Sequence, residues 1–212
     1  MYKKKSFFIT FEGIEGSGKS YQSKKLYKNL IKKKISAVYT REPGGSKSAE
    51  KIRKFLLTGK KNKFNKITDT LLYMASRSEH FENLIKPSLK KNKVIICDRF
   101  IDSTMAYQAS GKGINKNFIN VMQKNIVGNL KPNLTFILKL NPSIALSRVK
   151  KRSTKNRYDK FKKEFYKKVQ NAYIKFSKSN KKRYVIIDSS KNQFINSSII
   201  LKKTLLFLKK WN

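Results

Sequence analysis

One run of eight residues near the start of the chain has the residue types and spacing of a phosphate-binding loop. It follows the pattern G-x-x-x-x-G-K-[ST] and consists of Gly13, Ile14, Glu15, Gly16, Ser17, Gly18, Lys19 and Ser20. Glycines allow a tight turn whose N–H groups face phosphate oxygens, and a helix that starts near Lys19 adds the positive end of its dipole. We expect Lys19 to reach the β- and γ-phosphates of a nucleoside triphosphate and the Ser20 hydroxyl to bind Mg²⁺. The pattern predicts a nucleoside triphosphate site.

Acidic and basic side chains follow a second strand-like run. Asp98 and Arg99 come directly after residues 94–97, at the end of a strand where α/β proteins bind ligands. An aspartate in this place is suited to bind Mg²⁺ or its water shell, and the planar guanidinium of Arg99 is suited to clamp a phosphate. Tyr107 and Gln108 lie on the next helix or loop and are expected to face the same cleft. The alternative interpretation of Asp98 and Arg99 is an ion pair on the surface.

A basic segment from about residue 148 to 158 joins two helical patterns and contains Arg148, Arg152 and Arg157. It predicts a short lid that lowers arginines onto the transferring phosphoryl group and excludes water. A solvated basic loop is the alternative interpretation. Lysine is the default cation of this chain, so arginine at these positions favours the lid, because a guanidinium forms two parallel hydrogen bonds with a phosphate.

The elements that would position these residues alternate along the chain. Apolar runs bounded by polar turns predict buried strands at residues 6–11, 37–40, 94–97, 134–138 and 184–187, of which the second is the weakest. Helical patterns occupy residues 20–33, 67–90, 161–176 and 194–211, and another helix should follow the N-cap Asn141 and Pro142. The alternation predicts an α/β fold of the P-loop NTPase type, with a parallel five-stranded sheet flanked by helices, in a single domain spanning residues 1–212.

Charge and composition narrow the class of protein. The 212 residues include 51 Lys and Arg against 12 Asp and Glu, for a formal net charge of +39. A nucleic-acid or membrane-surface binder would have such a charge. The basic residues are spread along the whole chain, however, which favours the lysine-rich composition of an AT-rich genome, so no specific nucleic-acid partner is expected.

Other features exclude further classes. No apolar run approaches the roughly 20 residues of a membrane span, and the N-terminus lacks the apolar region of a signal peptide. The single cysteine, Cys97, excludes an internal disulfide framework. We therefore expect a cytoplasmic protein without a membrane partner. No Asn-Lys-x-Asp motif is present to read guanine, and the short chain favours a compact kinase with a small acceptor.

An ordered set of motifs resembles the thymidylate kinases, enzymes that phosphorylate dTMP with ATP. The set runs from about residue 8 to the last helix and consists of FEGIEGSGK at 11–19, TREPGG at 40–45, ASR at 75–77, CDRF at 97–100 and STMAYQ at 103–108. Asp98-Arg99 followed by Ala106-Tyr107-Gln108 is far more specific than the phosphate-binding loop. The resemblance implies ATP and dTMP as substrates, Mg²⁺ as cofactor and a homodimer.

The resemblance also implies the residues that bind dTMP: Glu15, Arg53, Tyr73, Arg77, Arg99, Thr104, Tyr107 and Gln108. Tyr73 would stack on thymine, Arg77 would donate to a base carbonyl, and Glu15 would accept a hydrogen bond from the 3′-hydroxyl group. The two other arginines would hold the phosphate of the acceptor. The remaining three residues would contact the edge of the base and the sugar.

Ser17 stands where one branch of the family carries an arginine, which implies the bacterial arrangement in which the lid supplies the catalytic cation. Arg152 is expected to be that cation, acting with Lys19 and Arg99, and Arg148 and Arg157 are supporting candidates. The sequence departs from the family pattern at four positions, none of which removes a core catalytic group: Tyr21, Lys112 in place of the usual arginine, Lys139, and Asn156 in place of a common aspartate. The rival interpretations are another nucleoside monophosphate kinase, a deoxynucleoside kinase, and a P-loop ATPase that acts on nucleic acid.

Overall fold

The computed structural model describes residues 6–60, 63–153 and 156–211. Its strands are β1 (Phe7–Glu12), β2 (Ala37–Arg41), β3 (Val94–Asp98), β4 (Leu134–Lys139) and β5 (Tyr184–Asp188). All of them pair in parallel, in the order β2-β3-β1-β4-β5. The predicted five-stranded parallel sheet is confirmed. Each strand ends one residue later than predicted, on a charged side chain, because the backbone ladder continues past the apolar run.

The α-helices of the described residues are α1 (Lys19–Lys32), α2 (Lys47–Leu57), α3 (Lys66–His80), α4 (Lys86–Lys90), α5 (Ile101–Thr104), α6 (Lys116–Val127), α7 (Pro142–Lys150), α8 (Lys163–Ser179) and α9 (Gln193–Trp211). A π-helical segment, Phe81–Ile85, joins α3 to α4, and a second one, Met105–Gly111, continues α5. A 3₁₀ turn, Arg157–Lys160, precedes α8. The single helix expected over 67–90 is therefore interrupted by a wider turn. None of the described helices has the length and apolarity that a membrane crossing requires.

Three helical regions were not predicted: α2, α6 and the region from α5 through the second π-helical segment. In α2, Ala49, Ile52, Phe55 and Leu56 lie at helical spacing, so its apolar pattern was a signal that the sequence interpretation missed. The region from α5 onwards carries Thr104, Tyr107 and Gln108, whose buried side chains include polar groups. Burial of polar side chains hides that region from a search for apolar patterns.

The core lies on both faces of the sheet, with β1 at its centre. Every residue of β1 is buried. On one face Phe7, Ile9 and Phe11 pack in the cluster that includes Leu26 of α1 and Ile200 of α9. On the other face Phe8 packs against Phe100, with ring centroids 4.8 Å apart. Burial on both faces explains why the strands are almost continuously apolar.

The strand ends meet at one edge of the sheet. Phe11 of β1 and Arg41 of β2 both pair with Asp98 at the end of β3. The loops that follow these three strands therefore leave the sheet at the same level. This is the edge at which parallel α/β sheets bind ligands.

Candidate functional site

The phosphate-binding loop follows β1 and leads into α1. Gly13 and Gly16 permit backbone contacts that no side chain would allow, since a Cβ atom would lie 2.6 Å from the carbonyl oxygens of Leu138 and Ala145 respectively. Gly18 has φ +86° and starts α1. The side chain of Ile14 is fully buried in the core, so that residue offers the site only its backbone.

Lys19 is folded back over the loop. It is 5% exposed, and its Nζ donates to the carbonyl oxygen of Ile14 at 2.7 Å and to Ser17 Oγ at 3.4 Å. Burial, together with the nearby charge of Arg99, lowers the pKa of Lys19 to about 8. The ammonium group is thus held at the place where the pattern predicts phosphates, with its desolvation only partly compensated.

The Ser20 hydroxyl and the Asp98 carboxylate meet at the start of α1. Ser20 Oγ donates to Asp98 Oδ2. Asp98 is 7% exposed, and its Oδ1 is buried without a hydrogen-bond partner among the described residues. An orphaned carboxylate oxygen beside a hydroxyl oxygen fits Mg²⁺, which prefers oxygen ligands and binds one or two carboxylates together with phosphates and water. No cluster of three or more acidic, His or Cys side chains suited to a metal occurs in the described parts of the chain, as expected when the nucleotide supplies further ligands.

Arg99 reaches across the phosphate-binding loop. Its φ of +74° is unusual for a residue with a side chain. The guanidinium donates to Glu15 Oε1 at 2.7 Å, to the Gly13 carbonyl oxygen at 3.1 Å and to Tyr107 Oη at 3.2 Å. Burial opposes the charge of Glu15, but Arg99 and Lys19 outweigh it and hold the pKa of that carboxyl below its ordinary value. The surface ion pair between Asp98 and Arg99 is not formed, since each residue has other partners.

A buried carboxylate that the sequence interpretation missed supports this segment. Glu12 is fully buried and accepts hydrogen bonds from the Phe100 N–H at 2.8 Å, Ser103 Oγ at 2.6 Å and Tyr173 Oη at 3.1 Å. Burial, with the nearby Asp102 carboxyl, raises the pKa of Glu12 to about 7. A glutamate at the end of an otherwise apolar strand is a signal that could have identified it.

A cavity of about 500 Å³ opens beside the loop and brings most of the predicted residues together. Glu15, Lys19, Ser20, Asp98 and Arg99 line its phosphate-binding side. The predicted acceptor residues Arg53, Tyr73, Arg77, Thr104, Tyr107 and Gln108 line the remainder. The volume and the mixture of aromatic and polar side chains suit a nucleotide.

Four helical elements position the predicted acceptor residues of this cavity, and one of them is α5, which ends at Thr104. α3 carries Tyr73 and Arg77 one turn apart, so both reach the cavity from one face of the helix. The second π-helical segment carries Tyr107 and Gln108, and its wider turn lets adjacent residues line the same wall. Arg53 comes from α2, where its guanidinium donates to the Pro43 carbonyl oxygen at 2.5 Å.

Arg77 and Gln108 present donors at the inner end of the cavity. Arg77 is 2% exposed and pairs with Glu42, a residue that the sequence interpretation did not assign to the site. Its Nη2 also donates to Thr104 Oγ1 at 3.0 Å. Gln108 Nε2 is buried without a hydrogen-bond partner within the described structure. An unpaired buried donor is costly, so a ligand that accepts from it is stabilised.

The three arginines of the predicted lid lie in different places. Arg152 lines the cavity and pairs with Asp159 at 2.6 Å. Arg148 belongs to the last turn of α7 and donates to the carbonyl oxygens of Gly16 at 3.4 Å and Ser189 at 3.2 Å. Arg157 is buried and pairs with Asp69 of α3, which also accepts from Lys112. Residues 154 and 155 of the predicted lid lie outside the described residues.

A second cavity of about 440 Å³ lies on the other side of the phosphate-binding loop. It shares Gly16 and Gly18 with the first cavity and is also lined by Ser17, Arg148 and Ser189. No residue of this cavity beyond the loop and Arg148 was predicted, because the segment after β5 and the start of α9, which supply most of the others, carry no recognisable motif.

Arginine is the minority cation, and each of the eight arginines of the sequence makes a specific polar contact. The contacts are Arg41 with Glu50, Arg53 with Pro43, Arg77 with Glu42, Arg99 with Glu15, Arg148 with Gly16, Arg152 with Asp159, Arg157 with Asp69 and Arg183 with Asp102. Five of them line the first cavity.

Comparisons with known proteins agree with this geometry. A family profile described as thymidylate kinase matches residues 11–199. The thymidylate kinase of Aster yellows witches'-broom phytoplasma (strain AYWB) is 43% identical over 189 residues, which cover 87% of this chain and 90% of that protein. That of Mycoplasma capricolum subsp. capricolum is 41% identical over 202 residues, covering 92% and 95%. The crystal structure of thymidylate kinase from Ehrlichia chaffeensis matches with a TM-score of 0.76 and 32% identity, covering 94% of this chain and 99% of that chain.

Proposed function

This chain belongs to the thymidylate kinase family, and from that premise we propose that it transfers the γ-phosphoryl group of ATP to the 5′-phosphate of dTMP, giving dTDP and ADP. It is a phosphotransferase of nucleotide biosynthesis, and its substrates are nucleotides. The observation that carries the proposal is the first cavity, in which a phosphate-binding loop adjoins a pocket lined by Tyr73, Arg77, Thr104 and Gln108.

The acceptor is already a nucleophile. A phosphate monoester is anionic at neutral pH, so the reaction requires alignment and neutralisation of charge rather than a strong general base. Lys19 would bind the phosphates of ATP, and Arg99 would hold the acceptor phosphate beside them. Lys19 is buried and the side chain of Arg99 is 14% exposed, and both are held by oxygen atoms of the protein, which supports a site whose cations the protein itself positions.

The base and the sugar would occupy the remainder of the cavity. Tyr73 would stack on thymine, Arg77 would donate to a base carbonyl, and Thr104 and Gln108 would contact the base edge. Glu15 would accept from the 3′-hydroxyl group, and Tyr107 would pack under the sugar. Arg53 would assist in binding the acceptor phosphate.

Ser20 and Asp98 would hold Mg²⁺, as supported by the buried, unpartnered Oδ1 of Asp98. When bound, the ion would neutralise charge on the β- and γ-phosphates of ATP. The two residues would also orient the start of α1, since the Ser20 hydroxyl donates to the Asp98 carboxylate.

We also propose that Arg152 is the cation that the lid delivers to the transferring phosphoryl group. Its place in the cavity wall supports this role, whereas Arg157 is buried against Asp69. Arg148, which borders the second cavity, would instead hold the donor side of the site, where the nucleoside of ATP would lie. The domain would extend over the whole chain, with the lid at about residues 148–158.

A homodimer and a cytoplasmic location complete the proposal. The exposed apolar side chains of Leu71 on α3 and Val121 on α6, two helices in contact with each other, support a dimer interface. Light scattering after size exclusion tests the oligomeric state. ATP and dTMP are metabolites of the cytoplasm, which supports that location.

An ADP-release assay across dTMP, dUMP, dCMP, dGMP and thymidine tests the activity. We expect dTMP to be the best acceptor and Lys19→Ala to retain less than a tenth of wild-type turnover with an unchanged circular dichroism spectrum. Higher turnover with another acceptor would overturn the proposal. ATP hydrolysis that is stimulated by DNA or RNA and needs no acceptor would instead support the rival ATPase.

A further inference from the structure

The guanidinium of Arg77 is fixed along one edge. Its Nε and Nη2 both donate to Glu42 Oε2, at 2.9 and 2.6 Å. One face lies over the ring of Phe100, with 5.2 Å between Cζ and the ring centroid. Nη1 has as its described acceptor the thioether of Met74 at 3.9 Å, which is a weak one. The edge that bears Nη1 is therefore the one left to a ligand in the cavity.

The second oxygen of Glu42 is held in turn by His80, the single histidine of the chain. His80 Nδ1 lies 3.0 Å from Glu42 Oε1, and His80 Nε2 lies 2.6 Å from Thr40 Oγ1. With the proton assigned to Nδ1, the ring donates to Glu42 and accepts from the Thr40 hydroxyl. Both oxygens of Glu42 are thereby used, so its carboxylate has no freedom to turn away from Arg77.

The contacts that link Arg77, Glu42 and His80 are shielded from water. Glu42 is 6% exposed, Arg77 is 2% exposed and His80 is completely buried. Burial opposes the charge of Glu42, but Arg77 and His80 outweigh it and keep the pKa of the carboxyl below its ordinary value. Charge-assisted hydrogen bonds of this kind are strong and directional when they are desolvated.

The backbone is shaped to admit the imidazole. Gly45 has φ +98°, and a Cβ atom there would lie 2.5 Å from the Cδ2 and Nε2 atoms of His80. Arg77 and His80 are three residues apart on α3, so both side chains approach Glu42 from one helix face. The loop after β2 and the helix α3 are thus built around the carboxylate of Glu42.

We propose that Glu42 and His80 are positioning residues that fix Arg77 as a hydrogen-bond donor towards the acceptor base, and so set a preference for a base carbonyl over an amino group. The inference deepens the proposed function and rests on it. A donor fixed in this way, whose described acceptor is only the weak thioether of Met74, pairs well with a carbonyl oxygen of the base. It disfavours an exocyclic amino group at the same place, because two donors would then face each other. A guanidinium free to rotate would lose that discrimination.

Two substitutions of His80 separate the positioning role from simple packing. In His80→Asn the side-chain amide nitrogen overlays Nδ1 and can still donate to Glu42. In His80→Gln the amide overlays Nε2 instead, so the contact with Thr40 is kept and the one with Glu42 is lost. Thr40→Val, which removes the outer hydroxyl with little change of shape, serves as the matched control.

The measured quantity is the ratio of kcat/KM for dTMP to kcat/KM for dCMP, which does not depend on the fraction of folded enzyme. We expect His80→Gln to lower this ratio at least tenfold and to raise the KM for dTMP, while the KM for ATP stays within twofold. His80→Asn and Thr40→Val should keep the ratio within about threefold of the wild type.

Equal ratios for His80→Asn and His80→Gln would overturn the inference, as would equal increases in the KM of both substrates. If His80→Gln is not recovered as folded protein, Glu42→Gln provides the same comparison, because it removes the charge while keeping the shape; an unchanged ratio would again overturn the inference. Wild-type enzyme that prefers dCMP would contradict the proposed function itself, a result distinct from either of these.

Discussion

Glu15 and Arg99 form an ion pair of 2.7 Å across the phosphate-binding loop, between two residues that are assigned to different parts of the acceptor. Their side chains are 19% and 14% exposed, so a ligand in the cavity can reach both. Glu15 thus holds the guanidinium of Arg99 in place with one oxygen, and in the proposed function its carboxylate also accepts from the sugar of dTMP.

The 3′-hydroxyl group of the acceptor should depend on Glu15. A hydrogen bond to a charged group contributes about 1.5–3 kcal/mol, and about 1.4 kcal/mol corresponds to a tenfold change. We therefore expect wild-type enzyme to prefer dTMP over its 3′-deoxy analogue by at least about tenfold in kcat/KM. Glu15→Ala should reduce this preference to about twofold or less. A variant that keeps the full preference would exclude this role for Glu15.

The binding of ATP should weaken at alkaline pH. The pKa of Lys19 is lowered to about 8 in the ligand-free protein, so its charge is lost as the pH rises through that value. We expect kcat/KM for ATP to fall above about pH 8. The pH dependence of kcat/KM for dTMP at saturating ATP is the control, because bound phosphates stabilise the ammonium form and move its loss to higher pH. The same decline in both profiles would assign the titration to another group.

The contribution of Lys19 to the stability of the fold should increase as the pH rises, whereas the binding of ATP should weaken. Its pKa in the folded protein lies below the unfolded value, so the unfolded chain binds more protons between about pH 8 and 10.5. The Lys19 contribution to the free energy of unfolding should therefore rise with pH in this window. This contribution is measured as the difference in the free energy of urea unfolding between the wild type and Lys19→Met, at pH 8 and at pH 10. A difference between the two proteins that stays constant with pH would contradict the lowered pKa.

The requirement for Mg²⁺ should depend on Ser20. Loss of a residue that only supports a metal ligand typically weakens metal affinity by about 10–100-fold. Ser20 is proposed as a ligand itself, so Ser20→Ala should raise the half-saturating Mg²⁺ concentration at least about tenfold. Ser23→Ala is the matched control, since Ser23 Oγ donates within the same helix to the Lys19 carbonyl oxygen at 2.8 Å. ATP binding in the presence of EDTA, measured by calorimetry, should be similar for both variants. An unchanged Mg²⁺ requirement in Ser20→Ala would remove Ser20 from the metal site.

The contacts of Asp69 should be essential for stability. This fully buried carboxylate accepts from Arg157 and Lys112, and breaking a buried ion pair costs about 3–5 kcal/mol. At roughly 2–4 °C per kcal/mol for a domain of this size, Asp69→Asn should lower the Tm by at least about 6 °C. Glu82→Gln, which breaks the exposed pair with Lys86, should change the free energy of unfolding by less than about 1 kcal/mol. Equal effects of the two substitutions would contradict the expected role of burial.

The parts of the fold that the sequence predicts correctly are those encoded locally. β1, β3 and β4 are runs of mainly apolar residues that are almost completely buried, and the phosphate-binding loop is a contiguous pattern with glycines at fixed positions. α2 and α6 were missed although both carry apolar residues at helical spacing. The break in the helix expected over 67–90 escaped it because a π-helical segment retains the apolar spacing of the helices on either side.

The parts of the site that the sequence does not reveal are contacts between distant residues. Arg77 reaches Glu42 over 35 positions, and Arg157 reaches Asp69 over 88. Nothing local marks Glu42 or His80 as partners of a base-reading arginine. Arg157 likewise looks like a lid residue in the sequence, and only the folded chain shows that its charge is buried against α3.

The partnering of every arginine has a consequence at the level of the gene. Wherever one of these arginines is encoded by AGA or AGG, a single G-to-A change gives a lysine codon. The guanidinium groups engage carbonyl oxygens and carboxylates through forked donors that an ammonium group does not provide. We therefore expect the eight arginines to mark the places where a positive charge alone is insufficient. Arginine-to-lysine replacement, one codon at a time, would rank the contacts by their cost to growth.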